Sequence, residues 1–178
     1  MQHIILYGFN SVGKTFFGKK LIEKNVLSFI DTDQVIEQLF LKKYKYLLSC
    51  REIYQKKGVL FFRNLETKAC LTLKQSTASI VALGGGTLLK NFKFLTTQGK
   101  GVYLKCSFNF IYQRLLKIGL PYIFKDLNKN SLRKIFIQRC MIYESFPNKQ
   151  TIYIDEYKNN QQILEKLEKI LWETIPLE

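Results

Sequence analysis

The chain has 178 residues, 47% apolar and 14% aromatic, with a formal charge of +14 at pH 7. That length and apolar content exclude disorder and fit one domain over residues 1–178, burying about 70% of its unfolded surface. No apolar run reaches the roughly 18 residues of a membrane-spanning helix, and no charged n-region with a long apolar stretch opens the chain, so neither a membrane nor a secretory route is expected.

The basic excess raises a nucleic-acid partner, but its distribution argues against one. Only five of the 28 basic residues are arginine (51, 63, 114, 133 and 139), and the lysines are scattered along the whole chain. A diffuse positive field suits small anionic substrates instead. Cysteines 50, 70, 106 and 140 are widely spaced and read as reduced packing residues of a cytoplasmic protein.

In chain order, an apolar run at 3–7 predicts a first strand, and "GFNSVGKT" follows at 8–15. This satisfies G-x-x-x-x-G-K-[ST] between a strand and a helical stretch at 14–24. Gly8, Asn10, Ser11, Val12, Gly13, Lys14, Thr15 and Phe16 are expected to cradle ATP or GTP. The physical basis is backbone N–H groups and a helix N-terminus turned toward phosphate. Lys14 adds a charge where charge develops in transfer, and the Thr15 hydroxyl takes one Mg²⁺ position. An ordinary glycine turn before a helix is the plain alternative.

A second strand at 26–30 leads into "DTD" at 31–33. In extended chain Asp31 and Asp33 face one side, one for Mg²⁺ and one for the attacking hydroxyl. The alternative is that Asp31 or Thr32 caps a helix at 34–43. A longer helix at 51–74 carries Arg63 and Glu66, three apart and so on one face. A third strand at 79–83 ends in Gly84, Gly85 and Gly86, which let the backbone lie against a ligand or make a flexible turn. A fourth strand at 102–105 precedes a helix at 108–118 bearing Arg114. Residues 117–131 have no period and read as a long loop of the kind that forms a lid. A helix at 132–144 with Arg139, a strand at 151–154 and a helix at 161–172 complete the chain. Strands alternating with helices predict an α/β fold with a parallel sheet covered on both faces, its ligands beyond the carboxyl ends of the strands.

The order P-loop, "DTDQVIE", "FFRNLE", "VALGGGT" and R-x-x-x-Y at Arg139 resembles the shikimate kinase family across nearly the whole chain. The resemblance implies a three-layer P-loop NTPase fold with five parallel strands in the order 2-3-1-4-5. It implies ATP and Mg²⁺ as cofactors, and transfer of the γ-phosphate to the 3-hydroxyl of shikimate by a monomer. By the same resemblance, Lys14 and Asp33 are catalytic, and Thr15 and Asp31 hold the metal. Asp33, Arg63, Glu66, Gly84, Gly85, Gly86 and Arg139 bind shikimate. Arg114 lies near adenine, residues 32–75 form the acceptor-binding region, and 117–131 form the lid. Forked guanidinium donors match a carboxylate in a way lysine does not, and three of the five arginines fall on these positions.

One position departs from the pattern. The family carries arginine before the lid proline, where this chain has Leu120 before Pro121. Losing a cation at transferring phosphate costs about ten- to a thousandfold, roughly 1.4 to 4 kcal/mol. Lys117 or Lys125 is a candidate substitute. Two rival readings follow: another small-molecule P-loop kinase, for gluconate or a nucleotide, or a nucleotide-binding regulatory module without transfer.

Overall fold

The structure is a computed structural model that describes residues 2–23, 27–157 and 159–175. The wholly buried run His3–Tyr7 forms β1 at the centre of a five-stranded parallel sheet. The other strands are β2 (Ser28–Asp31), β3 (Ser79–Ala82), β4 (Gly99–Lys105) and β5 (Gln150–Tyr153), in the order β2-β3-β1-β4-β5. Ile5 pairs with Val81 on one side and with Gly101 on the other.

Seven helices occur among the described residues: α1 (Lys14–Ile22), α2 (Thr32–Tyr44), α3 (Cys50–Leu71), α4 (Thr87–Leu95), α5 (Phe108–Ile118), α6 (Lys129–Glu144) and α7 (Asn160–Thr174). Short polar residues start most of them. Ser107, Asn128 and Asn159 cap α5, α6 and α7, and Ser49 with Glu52 forms a full capping box on α3.

Successive strand residues point to opposite faces and divide the core in two. Ile4, Leu6, Ile80, Val102, Leu104 and Ile152 pack with α1, α5 and α7 on one face. Ile5, Tyr7, Val81, Leu83 and Tyr103 pack with Tyr143 and Phe146 on the other. A third cluster, built on Ile36, Phe40, Ile53 and Phe62, joins α2 to α3 beside the sheet.

Several boundaries differ from the sequence reading. Strand β4 begins three residues before the predicted 102, at Gly99, because its glycines let neighbouring chains approach. A Cβ on Gly99 would lie 2.0 Å from the His3 carbonyl oxygen, and one on Gly101 2.6 Å from the Phe146 ring. Strand β5 ends one residue before the predicted 154, where a short 3-10 turn starts at Ile154. Val26 of the predicted second strand and Lys24 of the first helix lie outside the described residues.

Helix α4 was not anticipated; it is only nine residues long and is kinked at Asn91. Helix α6 starts at Lys129, so the irregular segment is 119–128 and contains a 3-10 turn at Tyr122–Phe124. Helix α3 is interrupted at Gly58, with φ 81° and ψ 170°. No helix among the described residues is long and apolar enough to cross a membrane. All four cysteines are free thiols.

Candidate active site

The carboxyl end of β1 runs into the phosphate loop, which needs backbone angles that side chains disfavour. Gly8, Ser11 and Gly13 all have positive φ, at 147°, 64° and 112°. Gly13 is the N-cap of α1 and gives it no side-chain cap, so the first-turn N–H groups are left for an anion. Lys14 is buried, and its Nζ donates to the carbonyls of Gly8 (3.0 Å) and Phe9 (2.8 Å). Burial pulls its pKa down to about 8, against the opposing pull of Asp33 and Asp31. Val12 is fully buried beneath the loop and its N–H bonds to the Phe9 carbonyl, so its side chain faces the core rather than the cleft.

The extended reading of Asp31 and Asp33 is corrected by the structure. Helix α2 begins at Thr32, two residues before the predicted start, with Asp31 as its N-cap. The Asp31 Oδ1 accepts from the Asp33 N–H at 2.9 Å. The other oxygen, Oδ2, accepts from the Thr15 hydroxyl at 2.8 Å, so cap and phosphate-loop partner are one carboxylate. Asp33 stands in the first turn of α2, open to the cleft but enclosed by protein. Burial and then the Asp31 charge push its carboxyl up to about 6, while Lys14 opposes the rise. Thr15 and Asp31 thus offer adjacent hard oxygens. Among the described residues no group of three metal-ligating side chains gathers. That set fits Mg²⁺, which takes few protein ligands and keeps water and phosphate oxygens.

Two cavities meet at Asp33. One of about 260 Å³ is lined by Ser11, Gly13, Lys14, Thr15, Phe16, Asp31 and Arg114. The other, about 380 Å³, is lined by Cys50, Tyr54, Phe62, Arg63, Glu66 and Gly86, with residues 118–123 along one side. Asn10, Asp33, Gly84, Gly85 and Ile118 line both.

The three glycines each face a different polar side chain. A Cβ on Gly84 would lie 2.6 Å from the Asp33 Oδ1, one on Gly85 2.3 Å from the Asn10 Oδ1, and one on Gly86 2.7 Å from the Arg63 Nη1. None of the three has positive φ, so what they supply is close approach rather than an unusual backbone. Thr32 aligns the run by accepting from the Gly84 N–H at 2.8 Å.

Arg63 pairs with Glu66, and Glu66 also accepts from the Thr87 hydroxyl at 3.0 Å. Arg139 is not a cleft wall. It is buried behind Asn10, donating to the Asn10 Oδ1 (2.8 Å) and the Gly85 carbonyl (3.0 Å), over the rings of Phe9 and Phe124. Burial lowers its pKa from the usual arginine value. The sequence offered Thr32 only as an alternative helix cap, Tyr143 only as the end of the R-x-x-x-Y motif, and gave Thr87 no role. Tyr143 donates to the Gly85 carbonyl at 2.6 Å, and the only signal for it was its spacing from Arg139.

Leu120 lines the larger cavity and packs against the core. Neither suggested substitute reaches that cavity: Lys117 lies in an outer groove with Arg114, and Lys125 is exposed.

A family model described as shikimate kinase matches residues 10–172. The chain belongs to the shikimate kinase family. A shikimate kinase of Staphylococcus aureus (strain JH9) is 41% identical over 114 residues, covering 63% of this chain and 62% of that relative. The alignment therefore spans less than two thirds of the curated relative. Among solved structures, the shikimate kinase of Bacteroides thetaiotaomicron superposes with a TM-score of 0.76 at 25% identity, covering 96% of this chain and 98% of that one. The shikimate kinase of Acinetobacter baumannii, in complex with shikimate, superposes at 0.79 and 25% identity, covering 97% and 94%. The shikimate kinase fold is thus shared along nearly the whole chain.

Proposed function

We propose that this protein is a kinase that transfers the γ-phosphate of ATP to the 3-hydroxyl of shikimate. The observation that carries the reading is the meeting of the two cavities at Asp33: a phosphate cradle on one side and an arginine-lined pocket on the other. Membership of the shikimate kinase family and the likeness to a kinase solved with shikimate support shikimate as the acceptor.

In this reading the amides from Gly8 to Phe16 hold the phosphates, and Arg114 lies toward the adenine. Lys14 turns from the loop carbonyls to the phosphoryl oxygens and stabilises charge as it develops. Thr15 and Asp31 would hold Mg²⁺, which supplies charge neutralisation of the phosphates when bound. Asp33 orients the acceptor hydroxyl and takes its proton, a role suited to a carboxyl with pKa about 6. Arg63, set by Glu66, binds the acceptor carboxylate beside Gly84, Gly85 and Gly86, and Arg139 holds Asn10 and the glycine wall in place. Residues 32–75 form the acceptor-binding region of a single kinase domain, and 117–131 act as a lid that keeps water from the phosphate. The protein works as a cytoplasmic monomer, with no nucleic-acid or membrane partner.

A coupled assay of ADP release tests this directly. Release that depends on shikimate is expected; ATP binding with no shikimate-dependent release refutes the reading.

A further inference from the structure

The larger cavity has two cations on its walls, and they stand in different states. Arg63 has its Nη1 paired with Glu66. Arg51, on the first turn of α3, makes no salt bridge with any described carboxylate. Its guanidinium carbon stands 5.9 Å over the ring of Tyr122, in the irregular segment 119–128. Tyr54, one turn further along α3, meets the same ring edge-on at 6.2 Å. Phe124, two residues on, is stacked on Phe9 of the phosphate loop at 5.5 Å. The segment therefore bridges the phosphate loop and α3, and Arg51 sits where it lands.

Helix stability does not account for this arginine. A cation in the first turn of a helix opposes the macrodipole. Most of the exposed positive charge is lysine, with five arginines among 28 basic residues, and of the exposed arginines 51, 114 and 133 only Arg51 lines the larger cavity. The segment opposite contributes Leu120, Pro121, Tyr122 and Ile123 to the cavity, none of them charged.

We propose that Arg51 is an anion-contacting residue of this cavity, its guanidinium steadied by Tyr122 and Tyr54 and directed at an oxyanion of the bound acceptor. The inference rests on the kinase reading above. Two groups share the required chemistry: the carboxylate of shikimate and the phosphate it gains on transfer. A planar forked donor serves either, and stacking fixes its plane at little entropic cost.

Calorimetric titration of shikimate, of shikimate 3-phosphate and of ATP into the wild type, Arg51→Gln, Arg51→Lys and Tyr122→Leu tests this without turnover. Arg51→Gln is expected to weaken acceptor binding about tenfold, the worth of one charge-assisted hydrogen bond. Arg51→Lys should retain part of the affinity and Tyr122→Leu should lose part of it, with ATP affinity and melting temperature unmoved. Loss for both acceptors assigns the contact to the carboxylate, and loss for the phosphorylated one alone assigns it to the transferred phosphate. Affinities within about twofold of wild type for both acceptors overturn the proposal, as does an equal loss for ATP. If wild type itself binds neither acceptor, the kinase reading has failed, a result distinct from an indifferent Arg51.

Discussion

Gly85 and Asn10 are fitted so closely that a single methyl group cannot come between them. A Cβ on Gly85 would stand 2.3 Å from the Asn10 Oδ1, the atom that accepts from Arg139 at 2.8 Å. The Asn10 amide is the far end of a short, movable side chain, so crowding turns it rather than unfolding the protein. Gly85→Ala is expected to lower kcat/KM about ten- to a hundredfold while shifting the melting temperature by no more than about 3 °C. Steady-state kinetics beside a thermal melt check this; a variant with wild-type kinetics would separate Asn10 from the acceptor cavity.

The two titrating groups at the junction of the cavities bracket neutrality. In the proposed transfer Asp33, raised to about 6, takes a proton only when ionised, and Lys14, lowered to about 8, meets phosphate only when charged. The profile of kcat/KM against pH should therefore be bell-shaped, falling below about 6 and above about 8. With saturating ATP the alkaline limb of kcat should move upward, because bound phosphate favours the charged amine. Asp33→Asn should reduce kcat by at least about a hundredfold and abolish the acid limb.

The same carboxyl makes an opposite prediction for stability. The folded state holds the Asp33 proton more tightly than the unfolded chain, so its contribution to stability is present below the ordinary carboxylate range and is lost as pH rises through about 6. Above that, Asp33→Asn should melt about 2–4 °C higher than wild type, close to 1 kcal/mol after allowance for solvent screening in the open cleft. Below about pH 4 the difference should vanish. Melts at the two extremes decide it, and a variant less stable than wild type at pH 8 rules it out.

Glu66 holds two partners from a buried position, Arg63 and the Thr87 hydroxyl at 3.0 Å. Glu66→Ala leaves both without an acceptor and should cost about 2–3 kcal/mol, a drop of roughly 5–10 °C. Its kinetic effect should fall on the acceptor KM, with the KM for ATP unchanged, since none of the three residues lines the nucleotide cavity. Equal changes in both constants would contradict that division.

Leu120 invites the reverse experiment. It lies between cavity and core, so Leu120→Arg gives up some apolar packing and is expected to melt lower by about 1 kcal/mol. In exchange it brings a guanidinium to the cavity, and kcat should rise several-fold or more. An unchanged kcat would mean that the charge is already supplied.

What could be read in the sequence was whatever is local. The loop from Gly8 to Thr15, the aspartates beside it and the Arg63–Glu66 pair work through spacings of a few residues, and those spacings are visible in a string. The parallel α/β sheet followed from alternating apolar runs. The position of Arg139 was not legible, because its partners Asn10 and Gly85 are 129 and 54 residues away. Helix α4 escaped because nine residues with an internal kink carry little period. The early start of β4 was hidden by glycines that mark loops in isolation yet here admit the His3 backbone. Arg51 resembled ordinary surface charge until Tyr122 and the cavity were placed beside it.

The break at Gly58 divides α3 between two duties. Arg51 and Tyr54 stand before it, and Phe62, Arg63 and Glu66 after it. Its φ of 81° is reserved for glycine, while beyond the adjoining residues and the helix's own backbone no described atom lies within 4 Å of the place where a Cβ would be. The joint is thus fixed by backbone conformation and not by neighbours. One helix therefore lines the larger cavity from both sides of a break that only glycine can make.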